Sequence, residues 1–458
     1  MIIINKALYL LPIPIILNSI FNFFKNEVYL IFDKNYILFV ISTISYVFVF
    51  YFVGKTVSDA LKLNLVSAGF SIFLISFFIF DHFFLYFTKN LQFKHTYLLV
   101  IFLWLLYFIY KKIEKKELFR IILLFLLLNY FNIFFLEDFK VINNPDLNSD
   151  LKHFWLPTLE NIYYKNYFFA LENNIIEGYG LVINYLQAVL FKIGFFGTFS
   201  YNTIPITAFF LFSTVFFWEL KISKVTKIYT ILFFVPFILN SEWLRYLFVE
   251  SLMSESVIGF IFAVLVYEVI NQKDKTIIYL FLGALMLSKQ FVILLTMLFS
   301  AYCFIKTKNI FLLTSAFAVY MVDKFNFIYF IKAPNANDYY ESITFKTFLS
   351  DAEYGNVIDI LRFLYIDKTF IYIMLCLGFI LLVDLFKNLK FTEIKNLSIF
   401  LFLFNFFLVL VLYSTVWRDA TFQSSYRYIL NTIYFAFMYI ALSTDEKINF
   451  KSKLNYLK

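Results

Sequence analysis

A polar segment between two long apolar stretches holds residue types that can do acid–base chemistry. It reads NPDLNSDLKHFW and brings two carboxylates, an imidazole and an indole close together. A carboxylate there can accept the proton of a substrate hydroxyl group, as a general base does. The structural alternative is that an Asp caps a helix starting near Asp150 and that the Trp anchors the chain at a membrane surface. The four side chains are those of Asp146, Asp150, His153 and Trp155.

Charged side chains beside later apolar stretches could act on the same substrate. Glu255 could bind or help to deprotonate a hydroxyl group, or it could be a solvated loop acid paired with Arg245. Lys289 and Arg427 could stabilise a developing phosphate anion, and otherwise they would extend to lipid headgroups. Gln290 and Tyr428 stand next to these two cations.

The spacing of possible metal ligands is unconvincing. His153 could ligate a divalent ion together with Asp146 and Asp150. The chain has only three histidines, however, and the other two, His82 and His95, belong to a different external region. A divalent metal is therefore compatible with the sequence but unsupported by it, and no cofactor is expected with certainty.

The composition predicts that a membrane protein carries these residues. Of 458 residues, 62% are hydrophobic and 15% charged, whereas soluble domains carry about 25% charged residues. Apolar stretches of about 18 residues recur along the chain, and each can cross a hydrocarbon core of roughly 30 Å as a helix. The lysines behind the net charge of +8 stand in short loops, which argues against nucleic acid as a partner. Cys303 and Cys376 lie in apolar stretches, so no disulfide framework or CxxC motif is present.

Hydropathy predicts an all-α polytopic protein with about 13–14 transmembrane helices. The first apolar stretch lacks a small-residue cleavage site, so we expect it to be a span and not a removed signal peptide. One transmembrane domain would comprise N-terminal spans (1–117), a core (118–331) with an external loop at 137–200, and C-terminal spans (332–458) with an external loop at 332–365. The predicted spans lie near residues 7–24, 36–53, 65–87, 96–110, 118–136, 201–218, 228–240, 252–270, 277–288, 291–305, 310–331, 367–386, 397–416 and 428–442.

The positive-inside rule orients these spans, because basic short loops should fall on the cytoplasmic side at every second crossing. The interval 137–177 carries seven acidic residues and three lysines and falls on the opposite side. We therefore expect a multi-pass protein of a bacterial inner membrane, with a cytoplasmic N-terminus and a periplasmic or extracellular active site. The basic loops that share the cytoplasmic side lie at 111–116, 221–227, 273–275, 306–308 and 387–395, together with the Lys-rich tail.

One apolar stretch breaks this alternation if it crosses the membrane. Residues 179–197, YGLVINYLQAVLFKIGFFG, stand between the external interval and the next span, and a crossing here would move the basic cluster 221–227 outside. The stretch contains Asn184, Gln187 and Lys192, which are costly at bilayer depth. We therefore predict that it forms a helix lying in the outer interface.

Four sequence elements, in this order, resemble those of GT-C superfamily glycosyltransferases. DLKHFWLPTLENIYYKN and the apolar stretch after it resemble the family's first external loop, where an Asp precedes a His or Trp, a Pro and a juxtamembrane helix ending near Gly. LMSESVIGFIFAVLVYEVI resembles its second acidic site, IIYLFLGALMLSKQFVILL its Ser/Thr–Lys segment, and SSYRYILNTIY its late Arg-Tyr element. The matched residues are Asp150, His153, Pro157 and Gly197 in the first element, and Glu255, Lys289, Gln290, Arg427 and Tyr428 in the others.

The resemblance implies an inverting glycosyltransferase, hexosyl or pentosyl, with juxtamembrane helices in its first large external loop. Its partners would be a polyprenyl-phosphate sugar donor, membrane lipids and an acceptor on the outer face of the cytoplasmic membrane, which would be a cell-envelope glycan, a glycolipid or a protein. Asp150 would be the base, Lys289 and Arg427 would hold the donor phosphate, and His153 and Trp155 would shape the sugar site. Two alternatives stay open, namely a transporter or flippase and a polymerase or ligase of lipid-linked glycans.

Overall fold

The computed structural model describes residues 46, 49–90, 156–173, 181–193, 204–241, 244, 255–272, 276–288, 290–329, 354–366, 368–386, 392–415 and 423–455. Their regular structure is helical throughout, and none of them forms a strand. A short π-helical segment, Val49–Val53, leads into the first α-helix. The helices are α1 (Gly54–Leu61), α2 (Val66–Phe83), α3 (Leu85–Thr88), α4 (Leu156–Tyr164), α5 (Tyr167–Glu172), α6 (Val182–Ile193), α7 (Ile204–Glu219), α8 (Lys224–Asn240), α9 (Glu255–Asn271), α10 (Thr276–Leu285), α11 (Gln290–Thr307), α12 (Ile310–Tyr329), α13 (Tyr354–Ile366), α14 (Lys368–Phe386), α15 (Glu393–Thr415) and α16 (Gln423–Asn455).

The helices coincide with the predicted spans wherever a span from residue 65 onward is described. In that part of the chain, three helices are long and apolar enough to cross a membrane, namely Val66–Phe83, Lys368–Phe386 and Glu393–Leu412. The all-helical class is thus confirmed for the described residues, while the count of about 13–14 crossings stays a prediction. The predicted spans near 7–24, 96–110 and 118–136 lie outside the described residues, as does most of 36–53. Shorter apolar helices lie at Ser256–Asn271, Thr276–Leu285, Val292–Thr307 and Ile310–Asp323.

The chain divides into two compact units. The first unit comprises Met1–Tyr29, Ser213–Val249 and Ser342–Lys458, and the second comprises Leu30–Phe212 and Glu250–Glu341. We consider each unit by itself. The single transmembrane domain expected from the sequence stays a prediction.

Close backbone approach holds the second unit together. Helix α2 packs against α1, α9, α10, α12 and α6, and α10 packs against α12. Two of these contacts, α1 with α2 and α10 with α12, form at a glycine. Gly69 of α2 faces the carbonyl oxygen of Gly54 in α1, and Gly283 of α10 faces the carbonyl oxygen of Ala316 in α12. Small residues at such crossings let apolar helices gain contact area where the hydrophobic effect alone does not drive association.

Replacing Gly283 with Ala is expected to lower the free energy of unfolding by about 1–3 kcal/mol, because the added Cβ would meet the Ala316 backbone and push α10 away from α12. The matched control is Gly378→Ala in α14, where a Cβ meets nothing within 4 Å. There, Ala should stabilise the helix by about 0.5–1 kcal/mol. Unfolding in one detergent measures both variants, and equal effects would contradict the close approach.

A buried ion network ties three helices of the first unit. The Asp384 carboxylate at the end of α14 lies 2.9 Å from Lys395 Nζ of α15 and 2.8 Å from Lys447 Nζ of α16. Lys395 also lies 2.8 Å from Glu446 Oε2. The side chains of Asp384 and Lys395 are both 0% exposed. The network also contains the hydroxyl groups of Tyr439 and Ser443, which both donate to Asp384 Oδ2.

Asp384→Asn is expected to cost about 3–5 kcal/mol of stability, because two buried ammonium groups would lose the carboxylate that both of them contact. Asp359→Asn is the matched control, since Asp359 pairs with Arg362 at 3.3 Å on the surface, where their side chains are 46% and 76% exposed. Such a pair contributes about 0–1 kcal/mol. Denaturant titrations of the two variants should differ accordingly, and similar losses would show that the network adds little.

Buried polar contacts join helix ends that the charge alternation assigns to the same side. Glu268, near the end of α9, is fully buried and accepts hydrogen bonds from the backbone N–H of Asn64 at 2.6 Å and from its amide at 3.1 Å. The span 252–270 and the loop before 65–87 meet on the predicted cytoplasmic side. The contacts of Asp384, Lys395 and Lys447 join ends on that same side. These pairings agree with the predicted orientation, which itself stays a prediction.

Candidate functional site

Some of the residues predicted to act on a substrate start helices of the structure. Glu255 and Gln290 are the first residues of α9 and α11 in the second unit. Arg427 and Tyr428 lie in the first two turns of α16 in the first unit, where the buried carbonyl group of Tyr428 accepts a hydrogen bond from Asn405 Nδ2 at 2.9 Å. The roles given to these residues stay predictions. Asp146, Asp150, His153, Trp155 and Lys289 lie outside the described residues.

Three short helices lie within the predicted external loop, 137–200. α4, α5 and α6 have 9, 6 and 12 residues, so at 1.5 Å per residue even the longest extends only about 18 Å, well short of a bilayer core. α4 packs against both α5 and α6, and α6 packs against α2. These three helices therefore form a small helical layer against α2.

Asn166 caps one of these helices and also attaches it to the spans. Its side-chain oxygen accepts a hydrogen bond from the backbone N–H of Phe169 at 2.7 Å, as an N-cap does. Its amide nitrogen donates to the carbonyl oxygen of Lys89 at 2.8 Å, just after α3. One side chain thus sets where α5 begins and which span end it adjoins.

Helix α6 corresponds to the stretch predicted to lie in the outer interface. Residues 181–190 are all buried, including Asn184 and Gln187. Protein surrounds these two polar side chains, which avoids the cost that they would meet in lipid. That α6 does not cross the membrane and that it lies at the interface both stay predictions.

A buried polar cluster joins the short helices α5 and α6 to α2 and α12 of the second unit. We call it the outer cluster, and it consists of Asp81, His82, Tyr167, Tyr185 and Asp323. The Tyr167 hydroxyl lies 2.9 Å from His82 Nδ1, and His82 Nε2 lies 3.8 Å from Asp323 Oδ1. The Tyr185 hydroxyl donates to Asp81 Oδ2 in a short hydrogen bond. Asp81 is 4% exposed and His82 1%.

The protonation of the two tyrosines follows from their surroundings. Burial raises the pKa of Tyr167 well above its ordinary value, and the charges of Asp323 and Asp81 raise it further. Burial and the charge of Asp81 likewise raise the pKa of Tyr185. Both phenols therefore keep their protons, and the Tyr185 hydroxyl donates to Asp81. In the contact between the Tyr167 hydroxyl and His82 Nδ1, the tautomer of the imidazole ring sets which atom donates.

Aromatic rings enclose the outer cluster. Phe78 stacks on the His82 ring at a centroid distance of 5.2 Å. The rings of Tyr167 and Tyr185 meet Phe78 edge-on at 5.5 and 5.6 Å. Such packing keeps the local dielectric low, which strengthens each hydrogen bond made inside it.

The outer cluster is too deeply buried to receive a substrate, so its chemical effect is to fix the helices that carry it. From the sequence, His82 was predicted to lie in an external region, and the other four members of the cluster were not predicted to be functional. Adjacent ionisable residues in an apolar stretch, as at Asp81 and His82, were the available signal, because such residues in spans are usually functional. Tyr167 and Tyr185 gave no signal, because the chain has 34 tyrosines.

Possible metal ligands are not grouped within the described ranges. No three His, Cys, Asp or Glu side chains there are arranged to hold an ion. The possible ligands Asp146, Asp150 and His153 lie outside these ranges.

Comparisons with models of protein families, with curated proteins and with solved structures found no match for this chain. The resemblance to GT-C glycosyltransferases therefore rests on the four sequence elements alone.

A double-mutant cycle measures the pairing of Tyr185 with Asp81. Tyr185→Phe should lower the free energy of unfolding by about 1–3 kcal/mol, because Asp81 Oδ2 loses its donor while staying buried. In an Asp81→Leu background the same change should cost less, since the carboxylate acceptor is gone and the hydroxyl keeps its longer hydrogen bond to the carbonyl oxygen of Phe77, at 3.3 Å. Tyr434→Phe, which removes a buried hydroxyl 2.9 Å from Ser213 in the other unit, should have the same effect in both backgrounds. Equal costs of Tyr185→Phe in both backgrounds would contradict the coupling.

Proposed function

We propose that this chain is an inverting glycosyltransferase that transfers a sugar from a polyprenyl-phosphate donor to an acceptor on the outer face of the cytoplasmic membrane. The observation that carries the proposal is the layer of short helices, α4, α5 and α6, that begins six residues after Asp150. Juxtamembrane helices in this place are what the resemblance to the GT-C superfamily implies. They pack on one another and, through α6, on α2.

The proposed chemistry needs a base and an anion site. Asp150 accepts the proton of the acceptor hydroxyl group while that oxygen bonds to the anomeric carbon and the bond to the donor phosphate breaks. Lys289 and Arg427 then stabilise the phosphate that departs. Lys289 stands directly before α11, whose N-terminus carries a partial positive charge that also favours an anion. Glu255, as the first residue of α9, binds the acceptor or assists the base.

The placement of buried charges supports a transferase over a transporter. An ion-coupled transporter usually carries ionisable groups or broken helices near the middle of the membrane. Among the described residues, the buried Asp81, Glu268 and Asp384 lie in the last turn of α2, α9 and α14, whereas Asp323, which is 13% exposed, lies six residues before the end of α12. Charged groups at span ends suit reactions at the membrane surface and the anchoring of helices there.

Asp150→Asn and Arg427→Ala test the proposal in membranes that contain the full chain. The probes are radiolabelled polyprenyl-phosphate glucose, galactose, mannose and arabinose, and transfer is measured to endogenous acceptors. Asp150→Asn should lower kcat by about 100-fold or more, because it removes the base. Arg427→Ala should have a comparable effect through loss of phosphate stabilisation.

Two exposed residues supply matched controls for these variants. Glu172→Gln removes an exposed carboxylate from the same external interval, and Arg362→Ala removes an exposed guanidinium. Both should leave transfer within about twofold of the wild-type rate, since exposed charges of this kind contribute little to stability. Transfer that survives both Asp150→Asn and Arg427→Ala would refute the mechanism. A wild-type chain that transfers none of the four sugars would count against the function itself.

A further inference from the structure

We propose that the outer cluster is a positioning device for sugar transfer, in which hydrogen bonds from Tyr167 and Tyr185 hold the external helices α5 and α6 at the one place on the spans where the reaction proceeds. This inference rests on the proposed function. It assigns Tyr167, Tyr185, His82, Asp81 and Asp323 as positioning residues, because none of them is exposed enough to touch a substrate.

The geometry joins two external helices to two spans at a single point. Asp81 and His82 are consecutive residues in the last turn of α2, so their side chains leave the helix about 100° apart. Asp81 meets Tyr185 of α6, whereas His82 meets Tyr167 of α5. His82 also faces Asp323 of α12, whose Oδ1 lies 3.8 Å from His82 Nε2. The end of α2 thus fixes α5, α6 and α12 relative to one another.

The chemistry of the cluster favours a role in position over a role in bulk stability. Replacing buried charged groups with apolar residues of similar volume is often neutral or stabilising, so a buried ion pair often adds little to the free energy of unfolding compared with apolar packing. Phe would fill nearly the same volume as Tyr167 or Tyr185, and this chain uses Phe freely, at 68 residues. Apolar rings alone let helices settle in several similar arrangements, whereas a hydroxyl aimed at one ring nitrogen or one carboxylate oxygen selects a single arrangement.

Positioning matters because transfer depends steeply on geometry. A displacement of about 1 Å far from the reacting atoms can lower a rate about 100-fold. A positioning defect therefore lowers kcat, while KM for the donor changes little if donor binding itself is intact. This split separates positioning from direct substrate contact.

The experiment compares Tyr167→Phe with Tyr434→Phe in the full chain in membranes. Each variant removes one buried hydroxyl group, and Tyr434 belongs to the other unit, where its partner is Ser213. The first readout is kcat and KM for the polyprenyl-phosphate sugar that the wild-type chain uses. The second is maleimide labelling of Ala170→Cys, a buried position in α5 that reacts only when the helix opens. Cys303 and Cys376 are buried, and the parent chain corrects for their labelling.

We expect Tyr167→Phe to lower kcat about 10-fold, to change KM less than about twofold and to speed labelling of Ala170→Cys about 10-fold, while Tyr434→Phe leaves all three near wild type. Two outcomes overturn the proposal. The first is that both tyrosine variants behave alike. The second is that labelling accelerates while kcat stays unchanged, which would leave a contact that does not serve the reaction. A wild-type chain without transfer refutes the proposed function, and the positioning role with it, before any variant is compared.

His82 variants supply a rescue test. His82→Asn keeps a hydrogen-bonding amide near the place of Nδ1 for the Tyr167 hydroxyl, whereas His82→Leu removes every polar atom there. His82→Asn should therefore retain at least about five times the kcat of His82→Leu. Equal kcat values for the two variants would overturn the role of the Tyr167 contact.

Discussion

A polar group inside this chain must find its partner in the protein, because the surrounding residues are overwhelmingly apolar. An unpaired buried carboxylate is too costly to keep, so each one marks a place where separate helices have to meet. Asp384, at the end of α14, pairs with Lys395 and Lys447. Glu268, at the end of α9, accepts hydrogen bonds from Asn64 in the loop before α2. Asp81, at the end of α2, accepts a hydrogen bond from Tyr185 of α6. Apolar packing supplies the attraction between helices, and these few pairings decide which ends adjoin.

Close helix packing and polar pairing act together in the second unit. At Gly69 and Gly283 the carbonyl oxygens of Gly54 and Ala316 lie so close that a Cβ would not fit. This close approach increases the contact of α2 with α1 and of α10 with α12. The span ends are then fixed well enough for the hydroxyl groups of Tyr167 and Tyr185 to reach their partners on α2. These contacts fix the positions of the short helices α5 and α6 on α2, although both helices are too short to be stable in isolation.

The sequence predicted the helices far better than it predicted the contacts between them. The apolar run at 367–386 matches α14 almost residue for residue, because a span needs only length and hydropathy. Lys395 was interpreted only as a topology signal, yet it is fully buried between Asp384 and Glu446. Of the predicted site residues, Glu255, Gln290, Arg427 and Tyr428 lie in described helices, but their joint geometry stays a prediction. Tyr185 and Asp81 are 104 residues apart, and no local pattern in a chain this rich in aromatic residues specifies such a pair.

Burial also limits which residues can do chemistry. A side chain must reach the substrate to act as a base or to hold a phosphate, and the outer cluster is sealed by Phe78 and by its own tyrosines. Its carboxylates and imidazole resemble a catalytic set by residue type alone, but their exposure leaves them only an indirect role. In the proposed transferase, the groups that meet a substrate are then other residues than those of this cluster. On that proposal the buried cluster and the reacting groups have separate tasks, and precise transfer requires the cluster to hold the helices in place.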